Sequence, residues 1–285
     1  PEEYGGGGAS LTEASVILEE VSASGGNPSA CHAQMYIMGT LLRHGSEEQK
    51  QRYLPGIADG TLRLQAFGVT EPEAGSETTR IRTRAGRVPE GWRINGQKIW
   101  TSRALYSDLM ILLARTTPFD DLDKKTEGLS VFIFDMRDLP GLTIKPIRTM
   151  MNHATTEVFF EDLKVPAANL VGEEGKGFRY ILSGMNAERI LIAAECIGDA
   201  KWFIAKASAY AKEREQFGTP IANFQFIRGK LVDMQMEIDS ARMLLYRSAW
   251  LVDRCVDNPR ESAMANLATS ETYVRAALNG MRIMG

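Results

Sequence analysis

Residues 177–196 limit what this chain can fold into more than any other stretch. Phe178, Ile181, Met185, Ile192 and Cys196 recur at helical steps and predict one apolar face of a helix. Ile190, Leu191, Ala193 and Ala194 make the remaining sides apolar too, and a helix apolar nearly all round is a buried one. Glu188 and Arg189 sit in its middle. Burying either charge costs several kcal/mol unless it is paired or neutralised. Two readings stay open from these residues alone. One is an ion pair that fixes helix packing; the other is a carboxylate kept in an apolar pocket to move a proton.

The rest of the chain frames that helix. A first helix is expected over about 10–22, capped by Ser10 or Thr12, and a second over about 28–44. A third opens at Ser46, where Ser46-Glu47-Glu48-Gln49 is a capping box, and ends near Gly60. His44, just before it, reads as a surface residue at a helix end. From Leu62 the pattern becomes short β-rich runs, at 62–70, 81–88, 92–94, 99–102, 110–115, 131–135, 142–146 and 158–160. Asn95-Gly96 predicts a hairpin turn between two of them, and 80–85 alternates polar and apolar, as a strand with one wet face does. Short strands without intervening helices predict an antiparallel barrel or sandwich, not a parallel dinucleotide-binding sheet.

After Val165-Pro166 the chain reads as helical to its last residue. The glycine-rich 172–177 is a turn rather than a phosphate loop, because its spacing is wrong and Glu173 and Glu174 would repel phosphate. The helix carrying Glu188 is expected to run to about Arg214, followed by one over about 224–256 and another from Pro259. Ile227, Leu231, Met234, Ile238, Ala241, Leu245 and Val252 would be the core stripe of the former, and Met264, Leu267, Ala268, Leu278 and Met281 that of the latter. Long helices with short connections predict an antiparallel bundle. The organisation expected is an N-terminal helical domain over 1–61, a β domain over 62–166 and a helical bundle over 167–285.

Composition narrows the partners. A net charge of −3 supplies no basic field, so neither nucleic acid nor an anionic membrane is expected. No run of about 20 apolar residues and no basic-then-apolar leader is present, so the sequence as it stands is expected to be soluble. Cys31, Cys196 and Cys255 form no disulfide framework and fit a reducing compartment, the cytoplasm or, in a eukaryote, the mitochondrial matrix. His32, His44 and His153 lie on separate segments, and no metal site is expected.

Two turn-proximal segments offer hydroxyls and backbone groups for a ring system without a charged clamp: 66–76, with Thr70, Gly75 and Ser76, and 98–102, with Trp100, Thr101 and Ser102. Together they resemble the acyl-CoA dehydrogenase family. The family's Val-Thr-Glu-Pro-x-Ala-Gly-Ser segment matches 69–76, and its Asn-Gly-x-Lys-x-Trp segment matches 95–100. Its Val-Pro-x-x-Asn-Leu-Val-Gly turn opens 165–178, and its Arg-x-x-Phe-Gly matches Arg214 to Gly218. The resemblance covers essentially the whole chain and implies N-terminal helices, a β domain and a C-terminal four-helix bundle, in that order.

It implies FAD as cofactor and oxidation of an acyl-CoA to its trans-2-enoyl thioester, with an electron-transferring flavoprotein as acceptor. Phe67, Val69, Thr70, Gly75, Ser76, Trp100, Thr101 and Ser102 would then lie at the flavin. Ser76, Asn186 and Arg189 would meet the acyl-CoA, and Arg214, Phe217 and Gln225 the FAD of a neighbouring subunit in a homodimer or homotetramer. Most members carry the base in a Tyr-Glu-Gly-Thr segment, which does not occur in this sequence; isovaleryl- and long-chain-type members place it directly before the bundle helix's arginine. That implies Glu188 as the base. An acyl-CoA oxidase or flavin monooxygenase on the same fold is the alternative reading. A non-catalytic or nucleic-acid-binding relative is another, and the acidic balance opposes it.

Overall fold

The computed structural model describes residues 1–151 and 154–285, so His153 lies outside the described residues. Among these residues the chain forms six α-helices: α1 Leu11–Ala23, α2 Ser29–His44, α3 Glu47–Ala58, α4 Gly177–Glu213, α5 Gln225–Asp253 and α6 Pro259–Met284. Between α3 and α4 run the strands β1 Leu64–Gly68, β2 Arg84–Val88, β3 Gly91–Ser102, β4 Leu109–Arg115, β5 Leu129–Asp135, β6 Leu142–Pro146, β7 Thr155–Pro166 and β8 Leu170–Val171. The chain divides into two compact units, one of residues 1–8 and 33–184 and one of residues 9–32 and 185–285.

In the first unit the strands make one sheet in the order β6-β7-β3-β2-β4-β5-β8, with β1 pairing β4. β4 explains its shape, since all seven of its residues are buried. Leu109, Ile111 and Leu113 point into a core with Ile37, Leu41, Leu54 and Ile57 of α2 and α3. Met110, Leu112 and Ala114 point the opposite way, into a second core with Trp92, Ile94, Val158 and Phe160. Those four belong to β3 and β7 of the same sheet, so the sheet folds over on itself in the expected sandwich manner. The ladders are not all antiparallel, however: β1 and β4 run parallel.

The capping box is formed as expected, the Ser46 hydroxyl accepting from Gln49 N at 3.2 Å and the Gln49 amide oxygen from Ser46 N at 3.1 Å. Asn95-Gly96 makes no hairpin turn. It lies inside β3, which pairs with β7 from Gly91 to Ser102 with register shifts between Ile94 and Gly96 and between Lys98 and Thr101. Asn95 is used across the sheet, its amide nitrogen donating to Asp162 Oδ1 at 3.0 Å and its oxygen accepting from Asp162 N at 2.8 Å. The tight β2–β3 turn falls at Pro89-Glu90 instead, where Val88 pairs with Gly91. The strand expected over 81–88 starts only at Arg84, because the Arg82 and Thr83 N–H groups donate to the Glu71 carboxylate at 2.6 and 2.8 Å. Its alternation holds nonetheless, with Ile81, Thr83 and Ala85 buried and Arg80, Arg82 and Arg84 exposed.

The second unit packs α1, the greater part of α4, α5 and α6 side by side. The fourth helix of this bundle therefore comes from the N-terminal segment. Gly198 of α4 faces α1 so closely that a Cβ there would lie 2.3 Å from the Glu19 carbonyl oxygen. Ser10 caps α1 together with Glu13, and the Asp253 carboxylate at the end of α5 accepts from Leu11 N and Thr12 N at 2.9 and 3.2 Å. The stripe of α5 is buried through Met234, Ile238, Ala241 and Leu245 as expected, with Ile227, Leu231 and Val252 half-buried at its ends. On α6 the expected stripe is turned outward. Its buried positions are small, among them Ala265, Ala276 and Gly280, while Met264, Leu267, Leu278 and Met281 are exposed. Small residues let α6 approach its neighbours closely, which excludes the long side chains from that face. Among the described residues no helix is long and apolar enough to cross a membrane.

Glu19 of α1 is buried and accepts from Lys201 Nζ at 2.9 Å, Arg242 Nε at 2.7 Å and the Tyr246 hydroxyl at 2.6 Å. Burial alone would push its carboxyl up, but these hydrogen bonds outweigh burial and hold it below the usual range. A carboxylate with a depressed folded pKa adds stability above its unfolded pKa and loses it as pH falls through the folded one. Glu19→Gln is accordingly expected to cost about 2–3 kcal/mol at pH 7. Urea denaturation should show the gap to the parent protein closing as the pH is lowered below about 4.5, the ordinary glutamate value.

Candidate functional site

The two flavin-candidate segments, 66–76 and 98–102, meet in the first unit. Lys98 is wholly buried, its ammonium donating to Val69 O at 2.9 Å and to the Glu71 carboxylate at 2.8 Å. Burial lowers the Lys98 pKa to about 8 against the opposing pull of Glu71, so at neutral pH the ion pair is intact. Burial pushes the Glu71 carboxyl up, but the Lys98 charge and the hydrogen bonds from Lys98, Thr83 and Arg82 outweigh it and hold Glu71 low. One rung beyond, Ile99 N donates to Thr70 O at 2.9 Å. Lys98 and Glu71 thus lock the end of β1 to the end of β3. The sequence motifs contained both residues, but nothing in their spacing revealed that they touch.

At Ile99 and Trp100 the backbone of β3 leaves its ladder with β7, rejoining it at Thr101. Trp100 has φ +60° and Arg103 φ +62°, values that non-glycine residues adopt at a cost of roughly 1–3 kcal/mol. Trp100 is 57% exposed, whereas Thr101 is buried and its carbonyl accepts from Thr156 Oγ1 at 2.7 Å. The Thr101 hydroxyl is buried with no hydrogen-bond partner among the described residues. Phe67 and Val69 are half-buried at the end of β1, Phe67 edge-on to Tyr36 with ring centroids 5.5 Å apart. Gly75, Ser76 and Ser102 are exposed. An exposed indole, an orphaned buried hydroxyl and an inward-turned, satisfied lysine suit a flat ring system with hydrogen-bonding edges, which is what a flavin presents.

In the second unit, the sequence stripe does not mark the buried face of α4. Ile190, Leu191, Ala193, Ala194 and Ile197 are buried, while Met185, Ile192 and Cys196 are only half-buried. Glu188 belongs to that half-buried face, which continues through Glu195 and Asp199 at seven and eleven residues' distance, nearly whole turns. Burial raises the Glu188 carboxyl above its ordinary range; the charges of His32 and Arg189 pull it back, and Glu195 adds to the rise. Arg189 Nη1 donates to Asn186 Oδ1 at 3.2 Å. Burial, with the charge of Glu195, raises Asp199 to about 6 against a nearby Ser22 hydroxyl. Burial and the same two carboxylates raise Cys196 to about 12. His32, buried at the start of α2, lies with Nδ1 3.0 Å from Glu195 Oε1. The 188–195–199 spacing was a legible sign of the carboxylates; that of His32 was not.

Arg214, Phe217 and Gln225 lie elsewhere. They follow or flank the turn after α4, about 39 Å along the helix from Glu188 at 1.5 Å per residue. All three are exposed, Phe217 to 95% and with φ +53°. His44 is not simply a surface residue. Its ring stacks on Tyr180 at 4.2 Å, with Nε2 2.8 Å from Ser183 Oγ. Since the Ser183 hydroxyl donates to Tyr180 O at 2.7 Å, the His44 nitrogen is the donor and the pair is no nucleophile–base dyad.

Lys98→Met leaves Glu71 without its cation and is expected to cost about 3–5 kcal/mol of stability. Lys98→Met/Glu71→Gln should recover most of it in urea melts, and retention of bound FAD after gel filtration should fall with the single variant.

Comparison with known proteins agrees along the chain. Residues 1–61, 66–163 and 175–285 match the N-terminal, middle and C-terminal domain families of acyl-CoA dehydrogenase. A probable acyl-CoA dehydrogenase, YngJ of Bacillus subtilis, is 39% identical over 292 residues, covering 100% of this chain and 75% of the relative. The solved structure of butyryl-CoA dehydrogenase from Megasphaera elsdenii is similar with a TM-score of 0.93 at 32% identity, over 100% of this chain and 75% of that one. An FAD complex of PigA is similar with a TM-score of 0.92 at 27% identity, over 100% of this chain and 75% of that one. The chain is a member of the acyl-CoA dehydrogenase family of FAD-dependent oxidoreductases.

Proposed function

We propose that this chain catalyses the α,β-dehydrogenation of an acyl-CoA thioester, with Glu188 as the base that removes the α-proton. The observation that carries this reading is a carboxylate on a half-buried helix face, raised chiefly by burial, directly before Arg189. A general base works best with a pKa near the operating pH, and an ordinary exposed glutamate is too weak. Hydrogen bonds to the thioester carbonyl make the α-proton acidic enough for a carboxylate, and exclusion of water strengthens each of them. Ser76, Asn186 and Arg189 are the residues proposed to hold the acyl-CoA, with the Arg189–Asn186 bond fixing the guanidinium beside the base.

Phe67, Val69, Thr70, Gly75, Ser76, Trp100, Thr101 and Ser102 are proposed to hold the flavin, and the orphaned Thr101 hydroxyl supports this. Bound FAD supplies the acceptor for the β-hydride, and a cytoplasmic electron-transferring flavoprotein is the proposed onward acceptor. Arg214 and Phe217 follow the C-terminal end of α4 and Gln225 opens α5, while Glu188 lies near the start of α4, which supports a role for the three at the FAD of a neighbouring subunit. The exposed apolar side chains of α5 and α6, among them Met236, Met243, Leu267 and Met281, support assembly as a homodimer or homotetramer. The division into 1–61, 62–166 and 167–285 is retained as the functional one, with the middle segment devoted to the flavin.

Glu188→Gln in FAD-loaded protein should leave the flavin bound and abolish its anaerobic bleaching by a panel of acyl-CoAs; normal bleaching would remove Glu188 as the base. In the parent protein the bleaching rate should fall with pH on a limb lying above 4.5, the ordinary glutamate value, because only the ionised carboxylate accepts a proton. Reoxidation that is fast in air without a flavoprotein acceptor would identify an oxidase instead.

A further inference from the structure

Arg115, at the end of β4, has no part in the reaction as described, yet it is among the few charged side chains that the fold buries, at 6% exposed. Its guanidinium hydrogen-bonds to no carboxylate among the described residues. Nε donates to Ile81 O at 3.0 Å, Nη2 to Thr79 O and Nη1 to Thr117 O at 3.4 Å, with the Phe119 ring centroid 5.3 Å from the guanidinium carbon. Arg115 N adds a bond to Thr83 O at 2.7 Å. The carbonyls of Thr79, Ile81 and Thr83 all belong to the segment that follows the flavin-candidate residues Gly75 and Ser76. Glu71 grips the same segment through its donors, accepting from Arg82 N and Thr83 N, and Lys98 holds Glu71 in turn. The Thr78 hydroxyl closes on Gly75 O at 3.1 Å. Residues 72–81 are therefore a loop whose ends meet at one carboxylate and whose returning limb is tied to one guanidinium. Gly75 and Ser76 are exposed on it.

A loop left free in the empty protein has to be ordered by its ligand, at a cost in affinity. A planar guanidinium reaches several carbonyls at once from a fixed fork, which a single ammonium does not. We infer that Arg115 is a positioning residue for the flavin: its fork, backed by Glu71, holds the loop 72–81 in its binding shape before the cofactor arrives, so that Gly75 and Ser76 meet the ring system already ordered. If a variant loop keeps that shape about a tenth of the time, FAD affinity falls about tenfold, because the apparent Kd rises by the reciprocal of the competent fraction. A fastener serving the fold alone would lower the melting temperature and leave the affinity of the folded fraction unchanged. The inference rests on Gly75 and Ser76 lying at the flavin, and the experiment separates the two.

Arg115→Gln removes the fork and its charge, whereas Arg115→Lys keeps the charge and most of the buried stem. Two measurements are made on both: hydrogen exchange of the FAD-free protein, read by mass spectrometry on peptides covering 72–83, and FAD titration followed by flavin fluorescence. Both variants should exchange faster than the parent over 72–83 and bind FAD about tenfold more weakly. At saturating FAD their visible flavin spectra should match the parent's, since the loop, once ordered, makes the same contacts. Unchanged exchange over 72–83 overturns the inference and leaves the proposed flavin site standing. Faster exchange with unchanged FAD affinity, or a parent chain that takes up no FAD, overturns the placement of Gly75 and Ser76 at the flavin and the inference with it. Parent-like affinity in Arg115→Lys would mean that charge suffices without the fork, and overturns it as well. Should Arg115→Gln fail to fold, Arg115→Lys decides alone.

Discussion

Buried carboxylates need partners, and the structure depends on how that demand is met at three glutamates. Glu71 is met by Lys98 and by the backbone of Arg82 and Thr83; Glu19 is met by Lys201, Arg242 and Tyr246. Both carboxyls are held low, because hydrogen bonds and countercharge exceed the cost of burial. Glu188 is treated differently. It has charges near it but burial prevails, and its carboxyl is held high. Each unit of pKa is about 1.4 kcal/mol of preference between protonation states, so this difference in partners separates a fastener from a proton acceptor.

Where a short local rule decided the structure, the sequence was a sound guide. Ser46 with Gln49 and Ser10 with Glu13 cap their helices through side chains three residues apart, and the helices begin there. Pro259 opens α6 for the same kind of reason. Asn95-Gly96 failed as a guide because turn propensity is weak beside pairing with β7, which drew these residues into a long strand and gave the turn to Pro89-Glu90. The parallel pairing of β1 with β4 joins segments about forty residues apart, and no periodicity encodes it.

The candidate site was legible to a similar depth. The two flavin-candidate segments carry compact motifs, and their adjacency follows from a contact between Lys98 and Glu71 that the motifs contain but do not announce. Glu188 stood out as a charge in an apolar run. The face it occupies did not, because the hydrophobic stripe counted large residues while the helix buries its alanines and isoleucines on another side. The same preference for small residues in contact turns the methionines and leucines of α6 outward. His32 is separated from Glu195 by most of the chain, and only the fold could pair them.

The position of Glu19 on α1 has a consequence in time. Its hydroxyl partner, Tyr246, is 227 residues further along the chain. At about 5–20 residues per second of ribosomal synthesis, that partner is made roughly 11–45 s after Glu19. The whole of the first unit's sheet emerges in that interval, and it has its own core to form. α1 is therefore synthesised well before the residues that become its native neighbours. A nascent chain must carry α1, with its polar, waiting carboxylate, past a unit whose core includes none of its residues.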